Sequence, residues 1–527
     1  MLKKLPIDTY TFKSMMEEGY MYVDKTELVY KLTHESKIAF LSRPRRFGKS
    51  MLCHTLKEYF SGNKHLFEGL KIYDLEKEWT KHPVFFFSMS SIKDCSLSEM
   101  KEKLGAQLRD YEKIYGRDPE VSSCGGRLTY IIKQAIEKKG PKPVIIIDEY
   151  DAPLLNKLDS PELLESTRQF LQEFYQVIKD YEGDIRFAFI TGITKFSQLS
   201  IFSTLNNLKK ISLLPDYEAI CGITEEELKT QLLPYLEVFA EKNEITIEQA
   251  FDKLIEYYDG YHFSENKASI FNPFSLINAL YDKKLNYYWF DSGTPTFLIN
   301  QLKKFDTNYA EIDKMEVSVS AFDIPATSLS EATPLLYQSG YLTIKDYNKK
   351  YESYILGIPN KEVRVGLSDA LMPTITNLTI SKNASVALNF VKAIDAEDLD
   401  LALNIIKSYI ASIPYDVMTK EDWADVAKYE RFYQILIFVM FGMFNRYTFI
   451  EVKSIRGRAD IVIFAETTVY VLEIKVNSTP EDALKQIDDK GYAIAYQDKI
   501  KGRKVVKCGV NINSELRTID KWTIKTN

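Results

Sequence analysis

The sequence predicts an α/β protein, with a parallel sheet between helices near the N-terminus, a mainly helical middle region and a second α/β layer near the C-terminus. Three observations predict this. Between Ile38 and Thr191, short apolar strands alternate with amphipathic helices. From about Thr224 to Asp400 the pattern turns helical and aromatic-rich. Beyond Phe432 a long apolar helix leads into strands around Phe449, Ile461 and Tyr470. At 527 residues the chain exceeds one ordinary domain. The pattern changes put the boundaries at residues 1–220, 221–400 and 401–527.

Taken in order, Ile38 to Ser42 reads as a first strand. A turn follows, then a helix with Leu52, Leu56, Tyr59 and Phe60 on one face. Val84 to Phe87 and Val144 to Ile147 are the next strands. Glu162 to Tyr181 places Leu163, Thr167, Phe170, Phe174, Val177 and Tyr181 at helical spacing, and Phe187 to Thr191 is a fourth strand. Strands separated by helices imply parallel pairing with right-handed crossovers. Asp24 to Glu27 reads as a helix cap, with Asp24 at the N-cap and Glu27 reaching back. In the middle region, Tyr257 to Phe263 (YYDGYHF) and Phe271 to Phe274 (FNPF) read as packed turns.

Composition narrows the function classes. The chain is 45% hydrophobic and 27% charged, which excludes disordered and collagen-like readings. Its net charge of −6 gives no global field for nucleic acid, so such binding must rest on local patches. Cys53, Cys95, Cys124, Cys221 and Cys508 are scattered, which fits a reducing compartment and gives no zinc spacing. The longest apolar run, Ile435 to Phe444, is far short of the ~20 residues of a membrane helix, and the two lysines of MLKKLPIDTY have no apolar core behind them, so this start does not read as a signal peptide. The expectation is a cytoplasmic protein without a membrane partner, as a monomer or a homo-oligomer.

The segment Ser42 to Ser50 reads S-R-P-R-R-F-G-K-S, between a strand and a helix start. Gly48 lets the backbone approach an anion, and the helix N-terminus offers it free N–H groups. Lys49 would reach the β- and γ-phosphates of ATP, and the Ser50 hydroxyl would bind Mg²⁺. Arg45 and Arg46 belong to the same nucleotide-binding loop. Position 43, six before the lysine, is Arg where the usual pattern has Gly. About a hundred residues on, Val144 to Ile147 runs into Asp148 and Glu149. Asp148 would hold the magnesium and Glu149 would polarise the attacking water. Thr191, ending the next strand, is placed to sense the γ-phosphate. A GKS at a helix start recurs by chance; the acid-terminated strand in the right order is what gives it meaning.

Near the C-terminus, Gly457 to Phe464 (GRADIVIF) and Val469 to Val476 (VYVLEIKV) form a strand pair joined by a short polar turn. Alternation puts Glu473 and Lys475 on one face, about 7 Å apart along the strand, with Asp460 able to reach the same spot. Two carboxylates there would bind a hard cation, and the lysine would orient a water: an arrangement for cutting phosphodiesters. The bland alternative is a solvated edge strand. Residues 451–527 carry 14 Lys or Arg against 11 Asp or Glu, and Lys499, Lys501, Arg503, Lys504 and Lys507 cluster where they could touch phosphates.

With RPRRFGKS, IIIDEYDAPL and FITGITKFSQ in this order, and YVDKT at Tyr22 to Thr26, the chain resembles the AAA-ATPase-like family of bacterial proteins over roughly residues 5–350. The resemblance implies a P-loop NTPase core with a helical lid, makes Arg43 part of the family's pattern, and leaves Arg168 and Arg186 as candidate arginine fingers. The segment from about Glu421 to Asn513 resembles the PD-(D/E)XK nuclease superfamily, with Ala459 in place of the usual proline before Asp460. That resemblance gives Asp460 and Glu473 the metal, Lys475 the water, and auxiliary roles to Gln486 and Glu430, with Glu451 a competing carboxylate. The expected function is an ATP- and Mg²⁺-dependent nuclease acting on DNA or RNA. The alternatives are a nucleotide-dependent switch whose nuclease-like domain binds without cutting, and a scaffold that binds nucleotide without turnover.

Overall fold

The computed structural model describes residues 2–138, 140–155, 157–158, 160–194, 208–266, 268–291, 312, 315–322, 332–414, 432, 435–436, 439–440, 448–454, 457–465, 467–490 and 502–526. Side chains are described for all of these but 291, 380, 448–454 and 457–460. Two compact units result, Met1–Ser292 with Lys314–Asn360, and Gly293–Asp313 with Lys361–Asn527.

In the first unit, β1 (Ile38–Ser42), β2 (Val84–Ser88), β3 (Val144–Asp148), β4 (Phe187–Gly192) and β5 (Lys209–Lys210) form one parallel sheet in the order β2-β3-β4-β1-β5. Strand alternation splits the core in two. Phe40, Ile145, Ile147 and Ile190 face helices Leu97–Tyr115, Cys124–Glu137 and Pro161–Asp180; Leu41, Ile146 and Phe189 face helix Lys49–Phe60. Both faces are covered, so the central strands β1, β3 and β4 are apolar along most of their length. On the Pro161–Asp180 helix Thr167, Phe170, Phe174 and Val177 are buried as the spacing predicts, whereas Leu163 is exposed and Tyr181 is the C-cap.

The expected cap at Asp24 takes another form. Lys25 is the N-cap of helix Thr26–Glu35 and makes no side-chain cap bond. The Asp24 carboxylate instead accepts from the Thr26 amide and hydroxyl and from the Lys71 amide, while Glu27 pairs with Lys71. Asp24 joins two segments 47 residues apart, which local pattern cannot reveal.

The ribbon β6 (Ile223–Thr224) and β7 (Ile270–Phe271) precedes or joins helices Leu233–Lys242, Ile247–Tyr258 and Pro273–Asp282, packed around Leu236, Phe239, Leu254 and Leu276. The mainly helical middle also holds a three-stranded antiparallel sheet, β8 (Met315–Ser318), β9 (Thr343–Asn348) and β10 (Ser353–Gly357), in the order β8-β10-β9. Its Tyr347 and Tyr354 pair across strands with ring centroids 4.7 Å apart.

The second unit has helices Lys361–Thr376, Ile380–Asp395 and Leu399–Ala411, then a sheet of β11 (Thr448–Ser454), β12 (Gly457–Phe464), β13 (Thr468–Val476), β14 (Lys504–Asn513) and β15 (Thr518–Thr526) in sequence order. Only β13 and β14 are parallel, as the intervening helix Pro480–Lys490 requires. That helix sets Leu484 and Ile487 on Val462, Val469 and Val471. The long apolar helix expected near Phe432 falls largely outside the described residues, as do Glu430, Lys499 and Lys501. No helix among the described residues is long and apolar enough to cross a membrane.

Candidate active sites

The C-terminal ends of β1, β3 and β4 meet at one edge of the parallel sheet, where open α/β sheets bind ligands. The loop after β1 enters its helix through Gly48 at φ 88°, and Arg46 also takes a left-handed φ of 67°. Successive turns of this kind point backbone N–H groups into a concavity suited to an anion. Lys49 is buried, and its ammonium donates to the carbonyls of Arg43 and Pro44 at 2.9 Å each. Burial lowers its pKa, opposed by the charges of Glu149, Asp148 and Asp151.

Asp148 ends β3, opposite Ser88, and Thr191 lies near the end of β4, paired with Leu41. Burial raises the Asp148 pKa, opposed by a hydrogen bond from Ser50. Asp148 Oδ1 and Thr191 Oγ1 are buried without a hydrogen-bond partner among the described residues. A buried carboxylate oxygen left unpaired is costly, and Ser50 beside it supplies the oxygen donors a hard cation prefers. The residues present therefore fit magnesium. Glu149 takes a left-handed φ of 54°, a strained conformation for a residue with a side chain. It lines a cavity of about 430 Å³ together with Arg45, Arg46, Gly48, Lys49 and Ser50.

Arg43 has a different role from its neighbours. Its guanidinium is buried, donates to the carbonyls of Ser42 (3.0 Å), Ser212 (2.7 Å) and Tyr217 (3.3 Å), and lies 4.0 Å from the Phe263 ring centroid. Burial pushes its pKa down to about 10. The arginine that displaces the usual glycine is thus a strut beneath the loop. Arg46 instead lies over the Phe274 ring at 4.1 Å.

Two groups escaped the sequence reading. Asp151 Oδ2 accepts from the Ile193 amide (3.0 Å), the Thr194 amide and the Thr194 hydroxyl (2.6 Å each), which ties the end of β4 to the acidic turn after β3. Lys25 lines the same cavity and forms a part-buried pair with Glu227 at 2.5 Å. The signals were present in D-E-Y-D and Y-V-D-K-T, but isolated charges there read equally well as turn and cap.

One of the two arginine-finger candidates lies away from this edge. Arg186 precedes β4 at the opposite end of the sheet and donates to the Thr33 carbonyl at 3.1 Å. Arg168 lies on helix Pro161–Asp180, bonded to Glu165 three residues back.

In the second unit, Glu473 on β13 is 1% exposed. Its Oε1 accepts from Lys475 Nζ at 3.2 Å and from Gln486 Nε2 on helix Pro480–Lys490. That helix comes down on Gly509, the β14 partner of Glu473, where a Cβ would stand 2.0 Å from the Pro480 carbonyl oxygen. The β12–β13 register pairs Ile461 with Leu472, and continuing it by one residue sets the backbone of Asp460 opposite Glu473. The side chains of Asp460 and Glu451 lie outside the described ones. A carboxylate held by an ammonium and an amide, beside an acid-bearing strand, can take a divalent cation.

Two lysines of the proposed basic cluster are engaged in ion pairs, while Lys499 and Lys501 lie outside the described residues. Lys507 bonds Asp488 at 2.6 Å, and Lys504 lies 3.5 Å from Glu397. Each lysine meets an acid elsewhere in the fold, a pairing that a charge count cannot register.

The first unit, with its phosphate loop and acid-ended strand, defines a P-loop ATPase-type domain, and the second, with its E-x-K strand and following helix, a PD-(D/E)XK-type domain. Comparison with known proteins agrees. The family model of a predicted AAA-ATPase matches residues 6–202, and that of the PD-(D/E)XK nuclease superfamily matches residues 428–522. An uncharacterized protein in the vnfD 5′ region of Azotobacter chroococcum mcd 1 is 32% identical over 536 residues, covering 99% of each chain. The chain belongs to the AAA-ATPase-like family and carries a C-terminal PD-(D/E)XK nuclease superfamily domain.

Proposed function

We propose that this protein binds and hydrolyses ATP at the sheet edge and cuts DNA or RNA at the C-terminal site. In this reading Lys49, Gly48, Arg45 and Arg46 hold the triphosphate, Ser50 and Asp148 hold magnesium, Glu149 orients the attacking water and Thr191 senses the γ-phosphate. Magnesium would supply charge neutralisation when bound. At the second site Asp460 and Glu473 hold the divalent ion, Lys475 positions the attacking water, and Gln486 fixes the Glu473 carboxylate. The phosphodiester chain is the substrate, and nucleotide turnover controls cutting.

The observation that carries the reading is the convergence on Glu473. Burying a carboxylate is expensive unless it is paired, and here two donors from different elements meet on a single oxygen while the register brings an aspartate-bearing strand alongside. The test is plasmid cleavage with Mg²⁺ by wild type and Glu473→Ala, alongside phosphate release from ATP by wild type and Glu149→Gln. Cleavage should vanish in the first variant and phosphate release in the second. Equal cutting by wild type and Glu473→Ala would remove the nuclease assignment; equal phosphate release by wild type and Glu149→Gln would remove hydrolysis.

A further inference from the structure

The cavity that receives the phosphate loop extends well past it. Its far wall is built by the N-terminal segment, through Ile7, Tyr10, Met21 and Val23, and is completed by Ile223 and Ile277. This wall is apolar, so it does not suit another phosphate. Lys25, the charge on this part of the wall, is neutralised by Glu227, which accepts from its ammonium at 2.5 and 2.6 Å. An apolar, electrically neutral slot continuous with a phosphate loop matches an uncharged flat heterocycle.

The segment Pro6–Tyr10 is pinned at both ends. Leu5 is buried, the Met21 amide donates to the Lys4 carbonyl at 2.8 Å, and Phe12 packs against Tyr22 and Phe67. Between these anchors Tyr10 stands 68% exposed at the cavity. It has no hydrogen bond or ring contact among the described residues. An aromatic ring held at the mouth of an apolar slot offers a face for stacking a base.

We infer that the segment Pro6–Tyr10 forms the base-binding side of the nucleotide site, with Tyr10 stacking on the purine of ATP. The inference rests on the nucleotide reading above and adds the residues that recognise the base. Tyr10 touches the ligand and takes no part in hydrolysis.

The test is calorimetric titration of the full-length chain with MgATP and, separately, with magnesium tripolyphosphate, which carries the phosphates and no base. Tyr10→Ala should weaken ATP about tenfold, on the scale of one base–aromatic stack. It should leave tripolyphosphate affinity and the unfolding midpoint unchanged, and Tyr10→Phe should restore ATP binding. Unchanged ATP affinity in Tyr10→Ala would overturn the inference, and so would an equal loss for tripolyphosphate. Lys49→Ala serves as the control. If it binds ATP as tightly as wild type does, the phosphate site itself is wrong and the base slot falls with it. If it loses ATP while Tyr10→Ala does not, only the base slot fails.

Discussion

Gly509→Ala probes whether the helix after β13 must sit as close to the sheet as it does. Gly509 pairs with Glu473 across β13 and β14. A Cβ at this position would lie 2.0 Å from the Pro480 carbonyl oxygen, 2.9 Å from its carbonyl carbon and 3.1 Å from the Ala483 Cβ. Ordinary carbon–oxygen contact needs about 3.3 Å, so helix or strand must withdraw by about 1.3 Å. The nearest obstacle is backbone, and no flexible side chain can yield instead. Overpacking of this kind costs about 1–3 kcal/mol. The same helix carries Gln486, whose amide holds Glu473. A displacement of about 1 Å in a positioning group lowers a rate on the order of 100-fold. Gly509→Ala should therefore lose about 100-fold in metal-dependent plasmid cleavage and unfold at lower denaturant, while releasing phosphate from ATP at the wild-type rate. Cleavage and stability both equal to wild type would show that the close approach does not position the site.

Other perturbations test the first unit. Arg43→Gly restores the usual glycine six residues before Lys49, yet it strips the carbonyls of Ser212 and Tyr217 of their buried donor. It should cost about 1.5–3 kcal/mol in chemical denaturation and leave ATP binding no tighter; a variant of equal stability that binds ATP better would contradict the strut. Asp259, buried beside Ser269 and Gly260, has its pKa raised by burial from 3.8 to about 6. The folded state then holds this proton more tightly than the unfolded state. Stability from this group is present below about pH 4 and is lost as pH rises to about 6, by about 3 kcal/mol. Asp259→Asn should remove that loss, so it should stabilise the protein at pH 7.5 more than at pH 4.5. An equal effect at both values in thermal unfolding would refute the assignment.

What was legible in the sequence was whatever depends on neighbours in the chain. Gly48, Lys49 and Ser50 announce an anion site because a strand precedes them and a helix follows. Asp148 and Glu149 stand out because the strand before them is wholly apolar. Glu473 and Lys475 share a face because strands alternate, and the structure closes them to 3.2 Å. Illegible features involve partners far along the chain. Arg43 became a strut through Ser212 and Tyr217, about 170 residues away. Lys504 and Lys507 looked free until Glu397 and Asp488 met them. Arg186 is a different case: it immediately precedes β4, and the phosphate loop follows β1 at the other edge, so topology alone removes it from its own site. The strands β8–β10 were missed because polar residues, as in Thr343–Asn348 (TIKDYN), leave no apolar run like that of β3 in a stretch otherwise helical.

The measurement that bears most directly on the two-site account is a crystal structure of the full chain grown with a non-hydrolysable ATP analogue and Mn²⁺. The account predicts triphosphate density on the Gly48–Ser50 loop, with the Lys49 ammonium turned from its two carbonyls to the phosphates. It also predicts anomalous manganese peaks beside Asp148 and beside Glu473. A Lys49 side chain still bonded to Arg43 and Pro44 with analogue bound elsewhere, or a Glu473 carboxylate with no manganese next to it, would contradict it.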